Sequence, residues 1–294
     1  MFQRDFMDYH SDRFHDFSLM IYKNEKLIAL LPANKVEHCL YSHQGLSYGG
    51  LVTKHNLRIE DYVALIATIF NHLKSLGIDE LMLKELPSIY NTSLSGELEY
   101  ILSYSKATCI KTDSYFVIDK SLEYRPNRNR LRALKKAEGF NLEITNNGIA
   151  EFWELMTINL NQRYNTKPVH TLEEIKLLKS RFPDQIQFLT VVLDTKVCAG
   201  AVLFIMENVV HFQYSAGDEN RADTGALDQL FHHVILKYQH KKYISFGSSA
   251  TDSTLKINKG LSYWKESFGA KVIPQRTHKI EINSALNNLE IFQK

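Results

Sequence analysis

Residues 185–217, QIQFLTVVLDTKVCAGAVLFIMENVVHFQYSAG, leave the chain little choice of fold. The runs 186–193, 197–205 and 209–215 are rich in β-branched and aromatic residues, and the polar breaks between them, DTK and EN, are short enough for tight hairpins. Three successive antiparallel strands follow from this pattern. Such a meander has apolar faces that other elements must cover, and the rest of the chain supplies helices at the right intervals.

Before the meander, helical spacing of apolar residues runs over 149–164 and again over 172–180 after Pro168; after it, helices are expected at 225–238 and 254–268, with strands at 243–246 and 271–282. An earlier stretch repeats this order. Strands at 17–22 and 26–31 flank the polar turn KNEK, a third strand runs through ANKVEHCLYSH, and a glycine-rich turn GLSYGGLV leads to a helix ending at Gly77. A strand at DELMLKEL, a helix near 92–104 and a strand over 108–118 complete that half. The reading is α+β, two tandem domains at 1–122 and 123–294, each a mixed, mostly antiparallel sheet flanked by helices. Strand pattern begins almost at once, at Phe17, so the first domain is expected to lack its first elements.

Composition narrows the function. With 44% hydrophobic and 23% charged residues and a net charge of +2, the 294-residue chain is an ordinary globular one, without the excess charge that draws a protein to nucleic acid in general. No apolar run approaches the roughly 20 residues of a membrane span, and MFQRDFMDYHSDRFHDF is too charged for a signal peptide, so a cytoplasmic location is expected. Cys39, Cys109 and Cys198 form no CxxC pair and read as core residues in a reducing compartment. The pair His232-His233 has no partner at metal-ligand spacing, and no metal site is expected.

One segment breaks the charge balance. NRNRLRALKKAEGF, residues 127–140, reads as a short amphipathic helix started by Pro126 and Asn127 and ended at Gly139. Its expected apolar stripe is Leu131, Leu134 and Ala137, with Arg128, Arg132 and Lys135 or Lys136 opposite. Either this is a solvated basic face, or it meets a phosphate-bearing ligand.

Taken with that helix, the motifs YGG at 48–50, RYNTKPVHT at 163–171, FGSS at 246–249 and NKGLSYWKESFGAK at 258–271 resemble, in order and spacing, the FemAB-like branch of the GNAT acyltransferases, in which two GNAT-type domains stand in tandem. The resemblance implies an acyl transfer to an amine, on an amino sugar or a cell-envelope precursor, with acyl-coenzyme A as donor. It implies that strands 209–215 and 243–246 splay apart to hold the donor, whose pyrophosphate would meet a loop between Asp218 and Ala226. Gln213, Tyr214, Arg221, Thr224, Gly225, Ala226 and Asn258 are the donor-binding candidates. Thr224 stands where the superfamily has a glycine, and Lys265 where it commonly has a tyrosine acid.

For catalysis, His211, His170 and Lys265 are the candidates, each histidine being alternatively a hydrogen-bonded structural residue. By strand alternation His211 and Gln213 share one face, Phe212 and Tyr214 the other. Tyr48, Gly49, Arg128, Arg132, Arg163, Lys167 and Ser248 are the acceptor-binding candidates, with Tyr48 to Gly50 expected to shape a floor where the domains meet. A small-molecule or nucleotide-linked acceptor is the expected partner. A tRNA donor is the alternative, disfavoured by the lack of a long heptad-bearing helical arm. A catalytically degenerate binding protein is the other.

Overall fold

A computed structural model describes residues 1–250 and 256–289, with the side chain of Tyr164 left out. The elements in chain order are α1 (Arg4–Met7), β1 (Leu19–Lys23), β2 (Lys26–Leu31), β3 (Asn34–Val36), β4 (Cys39–Tyr41), β5 (Val52–Thr53), α2 (Ile59–Ser75), β6 (Glu80–Lys84), α3 (Glu97–Tyr104) and β7 (Thr108–Asp119). They continue with α4 (Arg128–Ala137), β8 (Glu143–Thr145), α5 (Ile149–Tyr164), α6 (Leu172–Arg181), β9 (Ile186–Leu193), β10 (Lys196–Ile205) and β11 (Val209–Gly217). Last come α7 (Arg221–Thr224), α8 (Ala226–Lys237), β12 (Tyr243–Ser248), α9 (Lys259–Glu266), β13 (Lys271–Glu281) and α10 (Ile282–Asn287).

The chain divides into two compact units, but not at residue 122. Unit 2 is Ser114–Ile273; unit 1 is Met1–Asp113 together with the described residues from Pro274 onward. The reason is strand pairing. On β13, His278 and Ile280 lie antiparallel to Leu83 and Leu81 of β6, and Ile280, Ile282 and Ala285 are buried in the unit 1 core. On β7, Val117 and Ile118 pair with Ser245 and Ile244 of β12, and Phe116 and Ile118 belong to the unit 2 core. The last strand of the sequence thus completes the first unit, and no local pattern announces such long-range pairing.

In unit 1, β1, β2 and β5 form one sheet in that order, while β4 lies between β3 and β6. Asn24 and Glu25 both take positive φ, 47° and 62°, the left-handed pair that a two-residue hairpin needs. The third strand expected through ANKVEHCLYSH is instead a hairpin, β3 and β4, broken where Glu37 turns left-handed at φ 51°. The long helix α2 buries Tyr62, Leu65, Ile66, Ile69, Phe70 and Leu73 on one face, the i, i+3, i+4, i+7 pattern of its sequence.

In unit 2 the strand order is β7-β12-β11-β10-β9-β8. The meander β9, β10, β11 is antiparallel as expected, and β11 meets β12 in parallel. Gly200 of β10 faces α5, where an added Cβ would lie 2.4 Å from the Phe152 ring. Its neighbours Ala199 and Ala201 join the core formed with Leu230, Phe231 and Val234 of α8. Since successive residues of a strand point to opposite faces, α5 and α8 cover opposite sides of this sheet. Of the helix expected at 254–268, positions 254 and 255 lie outside the described residues, and α9 starts at Lys259.

Candidate functional site

The parallel pairing of β11 with β12 stops early. Val209, Val210 and His211 oppose Tyr243, Ile244 and Ser245, and beyond that point β11 runs on to Gly217 with no further register to β12 among the described residues. From Phe212 onward that side of β11 has no strand partner among the described residues, and at its end the Gly217 carbonyl accepts from Asn159 Nδ2 at 2.8 Å. This is the splay expected between those strands.

At the parting point sits a buried cluster. The Lys265 side chain of α9 reaches the strand end, where Nζ donates to the carbonyls of Gly247 at 3.0 Å and Ser248 at 2.6 Å and lies 5.3 Å from the Phe116 ring centroid. Lys265 is 4% exposed, and among the described residues no carboxylate forms an ion pair with it. Burial accordingly pushes its ammonium down to about 7, so that it exchanges protons near neutrality. His211 is buried beside Tyr115, whose ring stacks on it at 6.4 Å, and its Nδ1 lies 3.0 Å from Ser245 Oγ. Burial first, and the Lys265 charge second, hold the imidazole down at about 4.

A bulge re-aims the next side chains. Val202 pairs with Tyr214 and Leu203 with Phe212, so Gln213 is an extra residue in β11. Phe212 stays on the α8 side, stacked on Phe231 at 3.9 Å, and Tyr214 turns to the side of α5, edge-on to Trp153. The expected alternation is thus corrected: Tyr214 shares a face with His211, not with Phe212. Tyr214 also joins His170, its OH lying 2.6 Å from His170 Nδ1 and 3.3 Å from that residue's backbone N–H. Burial raises the Tyr214 phenol to about 12.

The start of α8, where a coenzyme A pyrophosphate is expected, is closely packed. Thr224, Gly225 and Ala226 are all buried, and the Ala226 N–H donates to Thr224 Oγ1 at 3.3 Å. Gly225, at φ +67°, packs so tightly on α4 that an added Cβ would lie 2.7 Å from the Ala133 carbonyl oxygen. Asp228 adds a carboxylate in the first turn. The glycine's freedom serves helix packing, and of the leading N–H groups that of Ala226 is already taken by Thr224. Arg221 donates to the Asp218 carbonyl at 2.7 Å and is half-buried, close enough to Arg163 for that charge to help lower it behind burial.

The basic helix has its own surprise. Arg128 and Arg132 are exposed, Leu131 is 51% exposed, and the buried position is Arg130. The inward stripe is therefore Arg130, Leu134 and Ala137 at i, i+4, i+7, a phase readable from the sequence had an arginine been admitted to it. Arg130 pairs with Asp228 of α8, donates from Nε to Ser267 Oγ at 3.0 Å and lies 4.6 Å from the Phe268 ring centroid. Trp264 Nε1 donates to the same Asp228 at 2.7 Å. Arg130→Ala leaves a buried carboxylate without its cation and is expected to lose about 3–5 kcal/mol in urea unfolding. Arg128→Ala, exposed, stays within about 0.5 kcal/mol of the parent.

The remaining candidates separate. Asn258 caps α9 by accepting from the Leu261 N–H at 2.9 Å, a structural duty. Ser248 holds Lys265 through its carbonyl. Arg163 and Lys167 are exposed around the end of α5. Tyr48 is buried in unit 1 against Tyr90, ring centroids 4.4 Å apart, and Gly49 is there because any Cβ would strike the Ser42 carbonyl oxygen. Tyr115 and Ser245 were not anticipated; Ser245, the polar member of an otherwise apolar strand, was the available signal.

Comparison with known proteins bears on this geometry. Residues 124–252 match the family model of the acetyltransferase (GNAT) domain. No curated protein sequence matches the chain. Among solved structures, FemX is similar over 98% of this chain and 93% of its own, at 10% identity and a TM-score of 0.67. A C-terminal domain assigned to a lysylphosphatidylglycerol synthetase of Agrobacterium fabrum is similar over 96% and 92%, at 12% identity and a TM-score of 0.59. A tandem GNAT protein from the clavulanic acid biosynthesis pathway follows over 95% and 87%, at 10% identity and a TM-score of 0.53. Residues 124–252 are thus similar to a GNAT acetyltransferase domain. The chain as a whole shares the fold of these solved structures.

Proposed function

We propose that the protein is an N-acyltransferase that moves an acyl group from an activated carboxyl donor onto an amine, on an amino sugar or a cell-envelope precursor. The observation that carries this reading is the parting of β11 from β12 with the Lys265 amine at the fork. The open edge of β11 offers backbone N–H groups to a donor carbonyl, where oxyanion charge develops as the amine attacks. The amine forms the new C–N bond, the bond from the carbonyl carbon to the leaving group breaks, and one proton must pass from nitrogen to the leaving group. Lys265, titrating near 7, can give a proton to the departing group and regain one from the substrate nitrogen. His211, held down at about 4, is too acidic as an imidazolium to act as that base.

For the donor, the closed start of α8 favours an aminoacyl ester carried on tRNA over acyl-coenzyme A. The name assigned to one structurally similar protein, lysylphosphatidylglycerol synthetase, contains an aminoacyl group. The test supplies either charged tRNA or acetyl-coenzyme A with a panel of amines and follows amide product by mass spectrometry. Product from charged tRNA alone is expected, and acetyl-coenzyme A should not raise the melting temperature, whereas a ligand at a hundred times its Kd would add about 2.7 kcal/mol. Turnover with acetyl-coenzyme A alone reverses the donor assignment. No amide from either donor removes the enzymatic reading and leaves a binding protein.

A further inference from the structure

The imidazole at the fork has no part in the proton transfer above, yet it is buried in the same cluster as the lysine that does. Ser245 Oγ lies 3.0 Å from His211 Nδ1 and 3.4 Å from the Gly247 backbone N–H. The Ser245 hydroxyl accepts from the Gly247 N–H and shares a second hydrogen bond with His211 Nδ1, so one side chain links the imidazole to the turn. Gly247 sits at φ +67°, and its carbonyl is one of the two that hold the Lys265 amine. A Cβ at Gly247 would lie 3.4 Å from His211 Cε1, so the imidazole fills the space beside this left-handed residue, with Tyr115 stacked on its other face. Bond and contact both run from the ring to the turn.

We propose that His211 is a positioning residue: through the Ser245 hydroxyl it fixes the left-handed turn at Gly247, and the turn's carbonyl fixes the Lys265 amine at the fork. This rests on the reading of Lys265 as the proton-transfer group, but the geometry can be tested without any substrate. The groups facing the Lys265 amine are the His211 imidazole from β11, the Phe116 ring from β7, and the Gly247 and Ser248 carbonyls from β12; on its own helix Glu266 is exposed. Carbonyl oxygens stabilise the ammonium over the free amine. Releasing one of them from a site that stays buried makes the ammonium a stronger acid.

The experiment is an NMR titration of the full chain labelled with 13C,15N-lysine, with the Lys265 signal assigned by its loss in Lys265→Met. The parent midpoint is expected near 7. In Ser245→Ala and His211→Leu the midpoint should fall by at least one pH unit, a tenfold change in the ionisation constant. His211→Asn, whose side-chain oxygen can still accept from Ser245, should restore it to within half a unit. Thermal melts confirm that each variant is folded, and Ser245→Ala, the smaller change, carries the test if His211→Leu is not. A midpoint that is unchanged or higher in folded Ser245→Ala overturns the proposal. Loss of amide formation in Lys265→Met is read separately, so failure of the transfer reading and failure of the positioning role give different results.

Discussion

A fragment cut at residue 123 is expected not to fold, whereas one running from Ser114 to Ile273 is expected to fold alone and melt cooperatively. The shorter cut looks natural in the sequence, because DKSLEYRPNRN breaks the element pattern there. It discards the stretch of β7 that pairs with β12, and with it Tyr115, Phe116, Val117 and Ile118, all buried. Full burial of a large apolar side chain contributes about 1.5–3 kcal/mol, and the fragment would in addition bare the edge of β12. The total removed rivals the 5–15 kcal/mol by which a whole domain is stable. The matching fragment 1–122 lacks β13 and so leaves β6 unpaired on that side and the core without Ile280, Ile282 and Ala285. Circular dichroism melts of the three fragments decide the matter. A cooperative transition in 123–294 as sharp as that in 114–273 would show that β7 is dispensable to unit 2.

Replacing Lys265 by methionine should remove activity and raise stability together. Loss of a positioned proton-transfer group lowers kcat by about a hundred- to ten-thousand-fold. A buried ammonium without a carboxylate is a liability to the fold, so an apolar side chain of similar length relieves it. The pH dependence fixes the sign. The folded-state value is about 7 against an ordinary 10.5, so between these limits the unfolded chain holds the extra proton and stability climbs as pH rises. Below 7 both states are protonated and this contribution is flat. From pH 7 to pH 9 the parent should gain about 2–3 kcal/mol from this group, a rise that Lys265→Met lacks. Parallel urea denaturation curves at the two pH values measure it. A variant whose stability climbs as steeply as the parent's would mean that Lys265 is not held in a dry site.

Local periodicity made much of the fold legible. The helix at 149–164 and the strand at 186–193 have the bounds that their apolar spacing announces, and the turn DTK is left-handed at Asp194 and Thr195 as its residues allow. The splay of β11 from β12 was likewise foreseen, from a resemblance rather than from spacing. What was not legible shares one physical cause, that tertiary contacts overrule local preference. Arg130 reads as a surface residue until Asp228, nearly a hundred positions away, supplies its counter-charge. The bulge at Gln213 has no signature in VVHFQYSAG, because an extra residue in a strand is set by its partner β10. Arg221 and Ala226 keep part of the spacing of a phosphate loop, but the environment of Gly225 between them is decided by α4, whose backbone packs against it.

Unit 2 lies within the sequence of unit 1, and this sets the order of events during synthesis. About 160 residues separate Asp113 from Pro274, and ribosomes add roughly 5–20 residues per second, so the first unit waits roughly 10–30 s for its last strand. Over that interval Leu81 and Leu83 lie on a β6 edge that β13 has yet to cover. The inserted unit takes only Lys271 to Ile273 from the start of β13 and can be finished first. The nascent chain thus matures from its middle outward, and the period of greatest exposure to chaperones and to misassociation falls on the half that left the ribosome earliest.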